Sequence, residues 1–301
     1  MKNRWLRRLA YALGGLLTVV AALVVAIYGV TWARTGRTFQ VAATPVPVAH
    51  DSATRARGEH LVTAIGKCAE CHGSDYAGKV FVDDPALGRV VARNLTPGGD
   101  VARYSDAEFA RAIRHGVRKN GQGLLIMPSS DYASFSDEDV GAVIAYLRSL
   151  PPVAKPLPAT ELHFLARALW ASGQLPLMDA LRMDHAKRAP ERVAVAPTAE
   201  YGHYLADVGG CTGCHGPGLS GGKIPGTPPD WRPAANLTPA GNLGKWTYDD
   251  FTRALRTGRR PDGSPIDSIM PWKATAKMTD DEIQAVYAFL KTVPAKPFGN
   301  R

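Results

Sequence analysis

Residues 9–32 read LAYALGGLLTVVAALVVAIYGVTW, 24 consecutive positions without a charge. As a helix this run would extend about 36 Å, enough to cross a hydrocarbon core of roughly 30 Å with some tilt. Beyond it the pattern changes. After Ser136, the positions Val140, Val143, Ile144 and Leu147 form an apolar stripe at helical spacing, and after Thr279 the positions Ile283, Val286, Tyr287 and Leu290 do the same. Ser105/Glu108, Ser136/Asp139, Thr247/Asp250 and Thr279/Glu282 place a hydroxyl three residues before an acid, the pattern of a capping box at a helix start. Gly116 and Gly258 read as helix stops, and Pro151 and Pro294 close the final helices of two units. Further helices are expected over Thr54–Ile65 and Ala199–Val208. In the connecting stretch, Leu162, Leu165, Ala168, Leu169 and Trp170 predict a short amphipathic helix within Glu161–Met183, read as packing over the domain junction, with a membrane or partner contact as the rival.

Sliding the chain by 142–143 positions superimposes one half on the other. Asn94-Leu95-Thr96-Pro97 falls on Asn236-Leu237-Thr238-Pro239, the segment from Tyr104 to Arg114 on that from Trp246 to Arg256, and Ile126-Met127-Pro128 on Ile269-Met270-Pro271. The match runs over about 90 residues per half, so the chain is an internal duplication.

Composition adds little to this except by exclusion. With 45% hydrophobic and 21% charged residues in 301, the chain is neither disordered, fibrous nor a polytopic membrane protein. The net charge of +9 is no nucleic-acid signal, because Lys2, Arg4, Arg7 and Arg8 supply four of those charges in the first eight residues. That cluster favours a cytoplasmic amino terminus for an uncleaved anchor and places the residues beyond the anchor outside the cytoplasm. A cleaved signal peptide, the rival reading, has a shorter apolar run.

The four cysteines carry the chemistry. They form Cys68-Ala69-Glu70-Cys71-His72 and Cys211-Thr212-Gly213-Cys214-His215, with none left over. C-x-x-C-H is the attachment signature of a c-type haem. Two thiols one turn apart can add to the two vinyl groups of one porphyrin, and the next residue then offers an imidazole to the iron. A thioredoxin-like pair would sit in a βαβ pattern, and a zinc site would bring its knuckles far closer than 143 residues. Disulfides remain the bland reading of an even count.

A second axial ligand is expected for each iron. Met127 follows His72 by 55 residues, and Met270 follows His215 by the same 55, both within Ile-Met-Pro. A thioether is a soft, uncharged ligand that favours ferrous iron and raises the potential. An isolated methionine would be read as core filler, but the repetition of interval and flanks points to ligation. His60 and His203 each precede their motif by eight residues and fall on the lead-in helices; His115 is matched by Thr257, and His50, His163 and His185 have no counterparts. Tyr104/Trp246, Asn94/Asn236 and Arg111/Arg253 are duplicated and are candidates either for holding haem propionates or for local structure.

By these motifs, both halves resemble class I cytochrome c domains. Arg57-Gly58-Glu59-His60-Leu61, Asn94–Pro97, Tyr104–Phe109 and Leu147–Pro152 are similar to segments of the multihaem cytochrome c subunits of membrane-bound alcohol and gluconate dehydrogenases. The resemblance covers roughly Thr54–Pro152 and Thr198–Pro294. Those subunits typically have three haem motifs and a carboxy-terminal attachment, whereas this chain has two motifs and an amino-terminal apolar run. The resemblance implies an all-α architecture of two tandem class I cytochrome c domains, and the apolar run adds a single transmembrane helix in front of them. Its expected parts are a cytoplasmic terminus (1–8), anchor (9–32), linker (33–52), domain 1 (53–152), connector (153–196) and domain 2 (197–301). The expected cofactors are two covalently bound haem c groups. Cys68, Cys71, His72 and Met127 would hold one, and Cys211, Cys214, His215 and Met270 the other, with the two histidines and two methionines as axial ligands. The expected function is single-electron relay between redox proteins on the periplasmic side of a bacterial cytoplasmic membrane, without catalysis of its own. The alternatives are the cytochrome subunit of an alcohol, aldehyde or sugar dehydrogenase, a dihaem peroxidase, which needs one open iron, and a haem sensor.

Overall fold

A computed structural model describes residues 2–228 and 230–300. The apolar run lies in one helix, α1 (Lys2–Gly36), long and apolar enough to cross a membrane. Its side chains from Trp5 to Trp32 are largely exposed.

Each half is then built to one plan. In the first, α2 (Ser52–His60) runs through a π-helical turn (Leu61–Ile65) into α3 (Cys68–His72), followed by α4 (Asp106–His115), α5 (Ser129–Tyr132) and α6 (Asp137–Ser149). The connector contributes α7 (Phe164–Ala171). In the second half, α8 (Ala199–Val208), α9 (Cys211–His215), α10 (Tyr248–Thr257), α11 (Trp272–Thr275) and α12 (Asp280–Thr292) repeat the plan of the first. Three of the four expected capping boxes form in full. At the fourth, Ser136 caps the Asp139 amide, but the Asp139 carboxylate is turned elsewhere.

The helix before each haem motif packs against the last helix of its half at a glycine. A Cβ on Gly58 would lie 2.0 Å from the Ala142 carbonyl oxygen, and one on Gly202 would lie 1.9 Å from that of Ala285. These glycines are therefore equivalent. They fix a register that the equal spacing of His60 and His203 does not show: Gly58 precedes Cys68 by ten residues, and Gly202 precedes Cys211 by nine. The extra residue is absorbed by the π turn, a common way to house a one-residue insertion in a helix. Structurally, His60 matches Tyr204, and Arg57 matches Tyr201.

Besides the helices, the first half carries a small antiparallel sheet that the sequence expectation lacked. Strands β1 (Lys79–Asp84), β2 (Gly88–Ala92) and β3 (Glu161–Leu162) pair in that order. The second half has only an isolated bridge, Gly222 to Ala234, in the corresponding place among the described residues. The stretch between α1 and α2 is laid on domain 1: the Phe39 amide donates to Gly121, Arg111 donates to the Val41 carbonyl, and Gly141 admits Pro47.

One apolar core runs through both halves, from Leu61, Ile65, Phe109 and Ile144 to Leu205, Phe251, Ile283 and Leu290. Domains linked only by a surface patch would keep two cores. A smaller cluster of Val117, Trp170, Leu177, Met178 and Ala180 joins the connector to domain 1. The connector helix α7 thus packs on domain 1 and the end of α1, and not over the junction of the two halves.

Candidate functional site

Both C-x-x-C-H segments form single helical turns entered through a left-handed residue, Lys67 (φ 52°) and Gly210 (φ 67°), and left through Gly73 (φ 84°) and Gly216 (φ 82°). The Nδ1 of His72 lies 2.7 Å from the Arg93 carbonyl oxygen, and that of His215 lies 2.7 Å from the Ala235 carbonyl. A carbonyl acceptor places the ring proton on Nδ1 and leaves the lone pair on Nε2, the tautomer an iron ligand needs. Burial holds the His72 imidazole below its ordinary pKa, which keeps it neutral.

The thiols argue against the rival readings. Burial, with the neighbouring Cys71, pushes Cys68 up to about 12, and burial also raises Cys71 and Cys211. A redox-active C-x-x-C depends on a depressed thiol pKa, the opposite of what is seen. No disulfide forms, and no three His, Cys, Asp or Glu side chains converge as a metal cage among the described residues. Oriented imidazoles beside protonated thiols on an apolar wall fit a covalently attached haem.

Met127 and Met270 are half-buried and pack on the same core that Cys68 and Cys211 touch. Their loops share a geometry. Pro128 (φ −79°, ψ 60°) and Pro271 (φ −77°, ψ 54°) each open a one-turn helix, and the Ser129 and Trp272 amides donate back to the methionine carbonyls. From α5, the Tyr132 hydroxyl donates to the Gly66 carbonyl just before Cys68, which brings the Met127 loop and the attachment turn into one place.

The duplicated asparagines and arginines have local partners. The Asn94 amide accepts from Thr96 and donates to Val153, and Asn236 accepts from Thr238 and donates to Lys296, so both are spent on turns. Arg111 binds three backbone carbonyls, whereas Arg253 pairs with Asp250. Of the histidines, His203 is exposed and stacks on Phe289, and His115 pairs with His185 at 3.2 Å. His60 faces inward.

What sequence reasoning missed lies between the halves. The two lead-in segments point the same way: Arg57 of α2 meets Tyr201 of α8, and further along the Lys67 ammonium donates to the Gly209 carbonyl. Both attachment turns therefore stand at the same end of the molecule, next to each other. The carboxylates at the third position of α6 and α12 reach across. Asp139 accepts from Arg57 at 2.9 Å and from the Tyr204 hydroxyl at 2.6 Å; Glu282, 1% exposed, meets His60 at 2.7 Å and Arg57 at 3.4 Å. Burial pushes Glu282 up, but the His60 contact, the Thr279 amide and Arg57 outweigh it and hold the carboxyl below its ordinary range. Beside α9, Asp131 fills the space a Cβ on Gly210 would need, 2.6 Å from its Oδ2. Burial, then Asp179, raises Asp131 to about 6. The only advance signal was that Asp139 and Glu282 occupy matching capping positions.

Known proteins resemble the chain over both halves. Residues 199–294 match the cytochrome c family, and residues 53–147 match cytochrome c oxidase, cbb3-type, subunit III. The chain is 30% identical to the cytochrome c subunit of a quinone alcohol dehydrogenase from Gluconacetobacter polyoxogenes, over 82% of this chain and 57% of that one. It is 30% identical to the gluconate 2-dehydrogenase cytochrome c subunit of Pantoea cypripedii, over 80% of this chain and 59% of that one. A diheme cytochrome c-type protein of Cereibacter sphaeroides is 28% identical, over 79% of this chain and 86% of that one. The chain thus spans a little over half the length of the dehydrogenase subunits it matches.

Proposed function

Starting from a chain that belongs to the class I c-type cytochromes, with a cytochrome c domain in each half, we propose that it is a membrane-anchored relay passing single electrons through two haems. In this reading Cys68 and Cys71 carry one haem c and Cys211 and Cys214 the other. His72 and Met127 ligate the first iron, and His215 and Met270 the second. Each haem supplies a one-electron iron couple. The chain does the rest: backbone carbonyls of Arg93 and Ala235 orient the two imidazoles, the shared apolar core excludes water, and the methionine loops would offer their thioethers as the second ligands. With both positions filled, no iron is open to substrate, so the chain carries electrons without catalysis of its own.

One observation supports the relay: the ties from Arg57 to Tyr201 and from Lys67 to Gly209 follow the same order along both lead-in segments and bring the two C-x-x-C-H turns near each other. Electrons then need no third carrier between the halves. The donor favoured by the relatives is a membrane-bound dehydrogenase, with this chain as its cytochrome partner. Haem attachment through C-x-x-C-H, an extracytoplasmic process, and the basic amino terminus support the periplasmic side. The test is carbon monoxide added to the dithionite-reduced protein together with a redox titration. Two one-electron steps and an unaltered Soret band are expected; ready carbon monoxide uptake by one haem would replace the relay with a peroxidase-like site.

A further inference from the structure

The outer end of α1 is clasped by the connector. Arg167 of α7 sits over the Tyr28 ring, 5.1 Å from its centroid, and donates to the Thr31 hydroxyl at 3.0 Å. Further along, the Arg34 guanidinium donates to the Trp170 carbonyl and lies 5.7 Å from the Trp170 ring centroid. The contacts advance together on both helices, from residues 28 and 31 against 167 to residue 34 against 170. Helix α7 therefore follows the direction of α1, and its first residues lie on the membrane-ward side of Arg167.

Those residues are Phe164 and Leu165, 47% and 43% exposed, while Ala166 and Trp170 on the other face are buried. From Tyr28 to Arg34 the anchor rises only about 9 Å, so the tip of α7 stands at the level where the apolar run ends. Trp32, 77% exposed, marks that level as an interfacial aromatic would. Two large apolar side chains are thus half-exposed beside the end of the apolar run.

We propose that the tip of α7 is a second membrane contact, with Phe164 and Leu165 seated in the acyl–headgroup boundary beside Tyr28. The occupant is the lipid surface itself, in continuity with the anchor. Arg167 keeps its stem along this apolar patch and its charge on Tyr28 and Thr31, as long basic side chains do at such boundaries. The contact would fix the tilt of domain 1 on the membrane, since α7 also packs on its Val117 cluster. The proposal rests on reading α1 as an anchor, and the test separates the two.

The full-length holoprotein is reconstituted in phosphatidylcholine vesicles doped with a phospholipid carrying a diazirine in its acyl chain, irradiated, and mapped by mass spectrometry. Adducts are expected on α1 and also on Phe164 or Leu165. A Phe164→Ser/Leu165→Ser variant should lose the α7 adducts and keep those on α1. Adducts confined to α1 in the unaltered chain would overturn the proposal and leave the anchor standing. Absence of adducts on α1 would remove the anchor reading and the proposal with it.

Discussion

Where the lead-in helices meet, the first half contributes Arg57, His60, Lys67 and, from α5, Asp131; the second offers Tyr201, Tyr204, Gly210 and Ala274 in the matching places. The duplicated plan is kept at the two proposed haem sites, where both histidines bond a carbonyl and both methionines precede a proline of the same conformation. It is abandoned at the seam. The basic groups there come from the first half, and the second supplies the Glu282 carboxylate, tyrosine hydroxyls and the bare space at Gly210 to receive them. A symmetric seam would oppose like charges, arginine to arginine and lysine to lysine. The divergence instead gives each buried carboxylate a donor from the other half, and it gives the two attachment turns unlike surroundings.

The comparison breaks hardest at the ligands. Met127→Ala and Met270→Ala should each lower the potential of one haem only, open that iron to carbon monoxide, and leave the other couple in place. Redox titration of both variants checks this, and an unchanged pair of couples removes the methionine assignment. The next largest effect falls on stability. Glu282→Ala leaves His60 without its carboxylate and Arg57 with Asp139 and the Tyr201 hydroxyl. Breaking a buried pair costs about 3–5 kcal/mol, and the lower end, about 3, is expected because both donors are about a quarter exposed. Denaturant unfolding reads it. The Glu282 carboxyl lies below its ordinary value when folded, so its contribution is present above pH 4.5 and is lost as pH falls through the folded value. Wild-type stability should therefore drop in acid more steeply than that of the alanine variant.

Asp131→Asn sharpens the contrast between the halves. A carboxyl raised to about 6 is partly protonated near neutrality, and its charge above that pH favours ferric iron in the half it faces. The potential of the haem at Cys211 should fall as pH rises from about 5 to 7, and the asparagine variant should flatten that slope. Because the folded pKa is raised, the carboxylate also costs stability above the unfolded value of 3.8, so the variant should be more stable at pH 7 than the parent. The smallest effect belongs to Lys67→Gly. Relief of a left-handed residue, worth roughly 1 kcal/mol, offsets loss of the hydrogen bond to Gly209, about 1 kcal/mol, so the melting temperature should barely change.

The amino-acid sequence announced the repeated motifs, the 55-residue interval and the capping hydroxyls, and also the apolar run. These are local patterns, each written within a few residues. The seam was not legible. His60 and Glu282 are 222 positions apart, and nothing in either neighbourhood names the other. The π turn hid the true register, because counting back from the cysteines equates His60 with His203 when the close-packed glycines equate it with Tyr204. The small sheet escaped because its third strand comes from the connector, and two residues carry no readable period.

The account stands on one porphyrin bound covalently in each half. Intact-mass spectrometry of the purified, denatured chain reads this directly. A mass equal to the polypeptide plus two haem groups, falling by one haem in a Cys211→Ala/Cys214→Ala variant, is the predicted result; a chain carrying one haem or none would contradict it.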